Sequence, residues 1–522
     1  MRKIPKTMST QHPDNANMPF WAKDQEIIQG DDEIYEAYYS FKELECHEQM
    51  WDWEGKDVDP NVVRKLLQKF PDFFREKVMG RDVFITYRLP NPNAEVTERK
   101  WLLEVLESIP RSYDVAETFY GENANVPIFE VILPLTRSHH ELIRIVQSYR
   151  KFIVDSEKIR IDEDGCELRE WVGEFKPKEI EVIPLIEDKE SILKIEEIVG
   201  GYIKAIKPKH LRVFIARSDP ALNYGLVPAV ILSKIASVKL KNVEKETNTR
   251  IYSVIGTGVP PFRGNLRPEN ISSFLKEYES YFTVTIQSAL KYDYPFSEVK
   301  EVIKKINNKE DNNESLNISS EEEKTLLKVI GKFESEYEAT IENIANLVNS
   351  LAEYIPNRRA RKLHIGLFGY SREIRGIKLP RVISFVSVLY SLGIPPEVIG
   401  ILAIEKLNEE ELKTLEKVYL NLREDLTFAA EYVCYENINL LTSEKEFYEN
   451  ITKKFRVEEG LRRIMEDISI LEKNLGIKVG PRSLRSRLHY NLSNNFLISL
   501  LTDKKEAKRY VVEAARVRRF LG

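Results

Sequence analysis

Leu211-Arg212-Val213-Phe214-Ile215-Ala216-Arg217-Ser218-Asp219 is the stretch that decides the fold. A short apolar run of this kind suits a parallel strand buried on both faces, and it stops abruptly at groups with chemistry to do. The same pattern recurs on either side. Phe84-Ile85-Thr86-Tyr87 ends in Arg88, Ile128 to Leu135 runs to Arg137, and Ile180 to Ile186 stops at Glu187. Ile251 to Ile255 opens onto Gly256-Thr257-Gly258 and then Arg263, and Tyr281 to Ile286 and Lys362 to Phe368 read as further strands. The intervals between successive strand ends leave room for a helix each. Polar groups at those ends then converge on one rim of a closed parallel barrel, where such folds carry their active sites. The expected fold is α/β, a TIM-like (β/α)8 barrel heavily elaborated with helices, with a helical C-terminal third.

Around this frame, residues 1–80 read as an irregular polar opening with helical patterns at Asp32 to Trp51 and Pro60 to Phe74. Strands are expected mainly within 81–370. Asn307 to Lys324 is Asn, Ser, Lys and Glu with hardly a large apolar side chain, so a flexible excursion is expected there. Lys324 to Tyr354 has helical spacing, and everything beyond Pro380 reads helical, giving an elaboration over 380–522. The arginines at 372 and 381 must reach the rim, which favours one integrated unit over 1–522.

Composition narrows the class. A formal charge of −5 argues against a dedicated nucleic-acid binder, although local arginines can still hold an anionic substrate. No stretch approaches the roughly 18 uninterrupted apolar residues of a membrane span, and the opening Met1-Arg2-Lys3-Ile4-Pro5 lacks the apolar core of a signal peptide. Cys46, Cys166 and Cys434 are too scattered for a disulfide or metal pattern. A cytoplasmic protein is expected, without nucleic-acid or membrane partners.

Four features can carry chemistry, each with a plainer alternative. Glu187 and Asp219, at neighbouring strand ends, can share one divalent cation, or serve as a helix cap and a rim salt bridge. Gly256 to Gly264 is a glycine-bearing loop with Arg263 inside it, able to face an anion, or simply a tight turn stiffened by Pro260 and Pro261. His12, within Met8-Ser9-Thr10-Gln11-His12-Pro13-Asp14-Asn15, can carry a proton near neutral pH, or cap a surface turn. Arg358, Arg359, Arg361, Arg372, Arg375 and Arg381 crowd into two dozen residues. They offer planar forks for phosphate and carboxylate, or salt bridges.

With these residues laid out, the chain resembles the short, archaeal-type phosphoenolpyruvate carboxylases from Met8 to Gly522. The resemblance rests on Met8 to Asn15, on Met50-Trp51-Asp52-Trp53-Glu54-Gly55-Lys56-Asp57 and on Tyr87-Arg88-Leu89-Pro90-Asn91-Pro92. It continues in Ala216 to Asn223, Pro261-Phe262-Arg263-Gly264, Gly369-Tyr370-Ser371-Arg372 and Leu379-Pro380-Arg381. It implies a lyase that joins phosphoenolpyruvate and bicarbonate into oxaloacetate and phosphate through carboxyphosphate and an enolate. It also implies Mg²⁺, or Mn²⁺ in its place, and a homotetramer. By that resemblance Glu187 and Asp219 hold the metal, while His12, Arg263, Arg372 and Arg381 are catalytic. Arg88 is similar in position to an early barrel arginine of the family that binds substrate, and Gly256, Gly258 and Gly264 belong to the substrate loop.

The chain departs from the longer enzymes of plants and most bacteria. The lysine of their Ser-Asp-x-x-Lys segment is Leu222 here, and their His-Gly-Arg is Ile255-Gly256-Thr257. Arg137 or Arg217 is expected to supply the missing charge. Rival readings are another phosphoenolpyruvate or pyruvate barrel lyase or phosphotransferase, and a catalytically dead helical scaffold or regulatory protein.

Overall fold

The computed structural model describes residues 3–11, 15–23, 27–310, 316–359, 361–362 and 373–521. Eight parallel strands close into a barrel: β1 (Thr7–Ser9), β2 (Glu48–Asp52), β3 (Phe84–Arg88), β4 (Glu130–Leu133), β5 (Glu181–Ile186), β6 (His210–Ala216), β7 (Arg250–Gly256) and β8 (Thr283–Ile286). Each pairs with the next, and β8 closes onto β1 with Val284 opposite Thr7 and Ile286 opposite Ser9. The longest ladder runs from His210 opposite Arg250 to Ala216 opposite Gly256.

Two strands fall in the region expected to be irregular or helical. β1 has three residues, too few for a pattern. β2 begins inside the stretch given a helical reading up to Trp51; the helix there is Asp31–Lys42. The polar residues that disguise β2 have a structural cause. Glu48, fully buried, points into the barrel and receives both Nη atoms of Arg212, each at 2.8 Å. The expected late strand at Lys362 to Phe368 lies, apart from Lys362, outside the described residues, and the barrel closes without it.

Alternation along the strands sorts the interior into levels. Near the N-terminal end Arg212 joins Glu48, Glu130 at 3.2 Å and Thr283 Oγ1 at 3.3 Å. Above it Met8, Met50, Ile132, Ile183, Leu185, Phe214, Ala216 and Val254 fill the middle. The barrel is therefore packed through its middle, and its C-terminal rim is where such folds carry their chemistry.

Outside the strands the apolar core continues without a break from Ile34 in the first helix to Leu521. The long helix Ser320–Leu351 starts where Ser319 and Glu322 form a reciprocal capping box. The expected excursion thus turns helical at Ser320, four residues before the apolar spacing begins. Leu326, Val329, Ile330, Phe333, Tyr337, Ile341 and Ile344 recur at three- and four-residue steps and bury one face. That face packs on Leu226–Thr247 and Glu458–Lys473. The C-terminal pair Leu484–Thr502 and Lys504–Arg518 packs on Val382–Ser391, the helix that follows Arg381. Among the described residues no single helix is long and apolar enough to cross a membrane. One pair, Val382–Ser391 with Pro396–Lys406, passes on length and composition together but is bent by 94°.

Candidate active site at the barrel mouth

Glu187 follows β5 directly and continues the inward alternation of Ile183 and Leu185. Its carboxylate is buried at the rim, where Oε2 accepts the N–H of Leu135 at 2.6 Å. Leu135 holds φ at 53°, a left-handed conformation rare for a branched side chain, so the loop after β4 carries backbone strain beside the site. Burial first, then the charges of Asp219 and Glu54, push the Glu187 carboxyl up to about 8, against the opposing pull of Arg88. Asp219 reaches the same region from the first turn of the helix Ser218–Tyr224, which starts as β6 ends.

Two further carboxylates escaped the sequence reading. Asp52 ends β2 and takes Arg88 in a fork, Nε to Oδ1 at 2.6 Å and Nη2 to Oδ2 at 2.7 Å. Glu54 meets the third nitrogen, Nη1, at 3.1 Å. Arg88 therefore stands at the rim as expected, but both edges of its guanidinium are occupied by carboxylates rather than open to an anion. Asp52 also pairs with Lys56, whose Nζ donates to the carbonyl of Gln11 at 2.7 Å. The Gln11 side chain accepts the N–H of Asp52 at 2.8 Å. These bonds dock the segment that leads to His12 onto the mouth. His12 and Arg372 themselves lie outside the described residues.

Arg263 is buried against the helix start that carries Asp219. Its Nε donates to Ser218 Oγ at 3.1 Å, and its Nη2 to Gln287 Oε1 just beyond β8. The loop closes through Gly258 N–H to the Arg263 carbonyl at 2.7 Å and Leu266 N–H to the Gly258 carbonyl at 3.0 Å. A Cβ at Gly258 would lie 3.0 Å from Arg263 Cζ and 3.1 Å from Gln287 Oε1, so both side chains would have to give way by a few tenths of an ångström. Gly264 holds φ at 118°, with Thr257 Cγ2 at 2.8 Å from any added Cβ. Gly256 is tight against Phe214. What the structure displays for these three glycines is close packing of the loop. Arg381 stands at the start of Val382–Ser391, its carbonyl accepting the N–H of Phe385 at 2.9 Å.

Of the two arginines offered as substitutes for the absent lysine, one is buried behind the rim and the other lies exposed beside it. Arg217, fully buried, donates from Nε to the Tyr278 hydroxyl at 3.1 Å and from Nη1 to the Phe262 carbonyl at 3.3 Å. Phe214 and Ala216 face inward, so alternation turns residue 217 towards the helical layer. Arg137 is well exposed, its Nε 3.4 Å from Asp188. Of the dense arginine stretch, Arg359 pairs with Glu36 and lies 3.8 Å from Glu33, and Arg375 pairs with Glu338 and Glu342.

A second group of metal-type donors, Glu130, Glu181 and His210, lies with its atoms within 4.8 Å of one another. These are the first residues of β4, β5 and β6, at the end of the barrel opposite the mouth. Glu130 is already engaged by Arg212, and the packed interior separates the group from the rim.

Comparison with known proteins finds relatives over the whole chain. The family profile described as phosphoenolpyruvate carboxylase matches residues 4–522. A protein of Caldivirga maquilingensis named phosphoenolpyruvate carboxylase is 47% identical over all of both chains. The protein of that name from Metallosphaera sedula is also 47% identical over all of both chains. That of Picrophilus torridus is 44% identical, covering 99% of each. The chain belongs to the phosphoenolpyruvate carboxylase family, in its short archaeal form.

Proposed function

We propose that this chain is a carbon–carbon lyase that carboxylates phosphoenolpyruvate with bicarbonate, giving oxaloacetate and inorganic phosphate. The observation that carries the reading is one barrel mouth where Glu187 feels the charge of Asp219 and the buried Arg263 bonds Ser218 beside it, in a chain related over its full length to proteins bearing that name.

The residues at the rim fit a divalent cation. Crowding of Glu187 by the charges of Asp219 and Glu54 is the condition that a cation relieves. Glu187 and Asp219 would hold Mg²⁺, or Mn²⁺ in its place, and the ion would supply Lewis-acid charge for the enolate oxygen that develops in the reaction.

The chain's own groups do the rest by position and charge. Arg263, with Arg381 and Arg372, neutralises the phosphoryl group as a bicarbonate oxygen attacks phosphorus and the enolate leaves. His12 then takes the proton of carboxyphosphate, so that CO₂ is released beside the enolate carbon and phosphate departs. The loop over residues 256–264 keeps water from both intermediates. Arg88 acts through the carboxylates it pairs with, orienting Asp52 and Glu54 and tempering the charge around Glu187. The working assembly on this reading is a cytoplasmic homotetramer.

An assay that follows oxaloacetate and phosphate together tests the reading. With phosphoenolpyruvate, bicarbonate and Mg²⁺ present, the two products should appear in equal amounts, and omission of any one component should abolish both. Phosphate release that persists without bicarbonate would assign the mouth to a different enol-phosphate reaction. Absence of both products from folded protein would favour a dead barrel.

A further inference from the structure

The loop that carries Arg263 is held from behind by groups that do not themselves reach the mouth. The N–H of Phe262 donates to Oε1 of Glu397 at 2.9 Å, and the carbonyl of Phe262 accepts from Nη1 of Arg217 at 3.3 Å. The two peptide groups flanking Phe262 are thereby fixed, and the second of them is the one that leads into Arg263. The same Oε1 of Glu397 accepts the Tyr390 hydroxyl at 2.8 Å. That hydroxyl in turn accepts Nη2 of Arg518 at 2.8 Å. The Arg518 guanidinium lies 4.6–4.7 Å from the rings of Tyr390, Phe428 and Tyr432. A relay of three side chains thus runs from the last helix, through Val382–Ser391, to the backbone of the substrate loop.

Glu397 is a costly residue for this place. It is fully buried, and its second oxygen, Oε2, has no hydrogen-bond partner among the described residues. A buried ionisable group held this way is poor value as stabilisation, because an apolar residue of similar size is often neutral or better. What a carboxylate provides is a directional acceptor that can hold a peptide N–H and a phenol together. The residues that receive the benefit are those after Phe262, where Arg263 must reach Ser218 Oγ and Gln287 Oε1.

We propose that Glu397 is a positioning residue for the reaction. With Tyr390 and Arg518 behind it and Arg217 opposite, it fixes the loop backbone so that the Arg263 guanidinium meets the phosphoryl group in register. This rests on the reading of Arg263 as the phosphoryl-binding arginine, and the two can be separated by experiment.

Steady-state kinetics on Glu397→Leu, Glu397→Gln, Arg263→Gln and the Leu/Gln double variant provide the test, with circular dichroism to establish folding. Glu397→Gln keeps an acceptor and should stay near the parent. Glu397→Leu should raise KM for phosphoenolpyruvate and lower kcat, each by about tenfold, the scale for displacing a charge-stabilising group by a fraction of an ångström. In the Arg263→Gln background the same change should add nothing, since two groups acting in series are not additive. A purely structural role would lower stability in Glu397→Leu while leaving kcat and KM of the folded enzyme unchanged, and that result would overturn the proposal. So would a Glu397→Leu effect that persists in full on top of Arg263→Gln. Near-normal activity of Arg263→Gln would instead remove the reading beneath it, and the proposal with it. Should Glu397→Leu not fold, Tyr390→Phe removes one hydroxyl of the relay and carries the same comparison with a smaller shift.

Discussion

Glu187→Gln is expected to lower turnover by about two to three orders of magnitude, the scale for losing one preorganised charge at a reacting centre, while leaving the fold intact. The amide has the size of the carboxyl, and its oxygen can still accept the Leu135 N–H. What disappears is the charge that a divalent cation needs. The sign of the pH dependence follows from the carboxyl being raised to about 8. Below that pH the group holds a proton, and a cation must displace it, so metal affinity should rise about tenfold per pH unit as pH increases towards 8 and then level off. In Glu187→Gln the steep part of that dependence should vanish. Calorimetric titration with Mn²⁺ at pH 6.5, 7.5 and 8.5 would register it. Equal affinity at all three pH values in the parent protein would contradict the assignment.

The second large effect concerns stability rather than chemistry. Arg212→Met should destabilise the protein by about 3–5 kcal/mol near neutral pH, because removal of one partner leaves buried charge uncompensated. Arg212 and Glu48 are both fully buried and bonded side to side, with Glu130 and Thr283 completing the layer. Adding Glu48→Gln should recover part of the loss. Urea unfolding at pH 7.5 measures the difference, and an Arg212→Met protein as stable as its parent would show the layer to be dispensable.

The same layer shows what the sequence conceals. Six strands stand out as apolar runs because the middle of the barrel is packed with Ile, Val, Leu and Phe. β2 does not, because three of its five residues are Glu48, Gln49 and Asp52. Glu48 meets an arginine 164 positions away and Asp52 meets Arg88, partners that no local pattern reveals. Two-residue alternation is the signal that was legible and decisive. It places Glu187 inward with Ile183 and Leu185, and Asp52 inward with Glu48 and Met50. It turns Arg217 outward, where the sequence reading had counted it among rim groups. Glu187, Asp219 and Arg263 were singled out from their positions at strand ends and Arg381 from its place in a dense run of arginines, and their roles are those proposed above. The hold on Phe262 was not, since Glu397 and Arg518 come from helices whose packing against the loop follows from the tertiary fold alone.

The spatial claim beneath all of this is that the divalent ion belongs at the C-terminal mouth, between Glu187 and Asp219. Anomalous X-ray scattering from crystals soaked in Mn²⁺ tests it most directly. The expected result is one strong peak within coordination distance of both carboxylates. A peak at Glu130, Glu181 and His210 instead, with none at the mouth, would place the ion at the wrong end of a packed barrel and contradict the account.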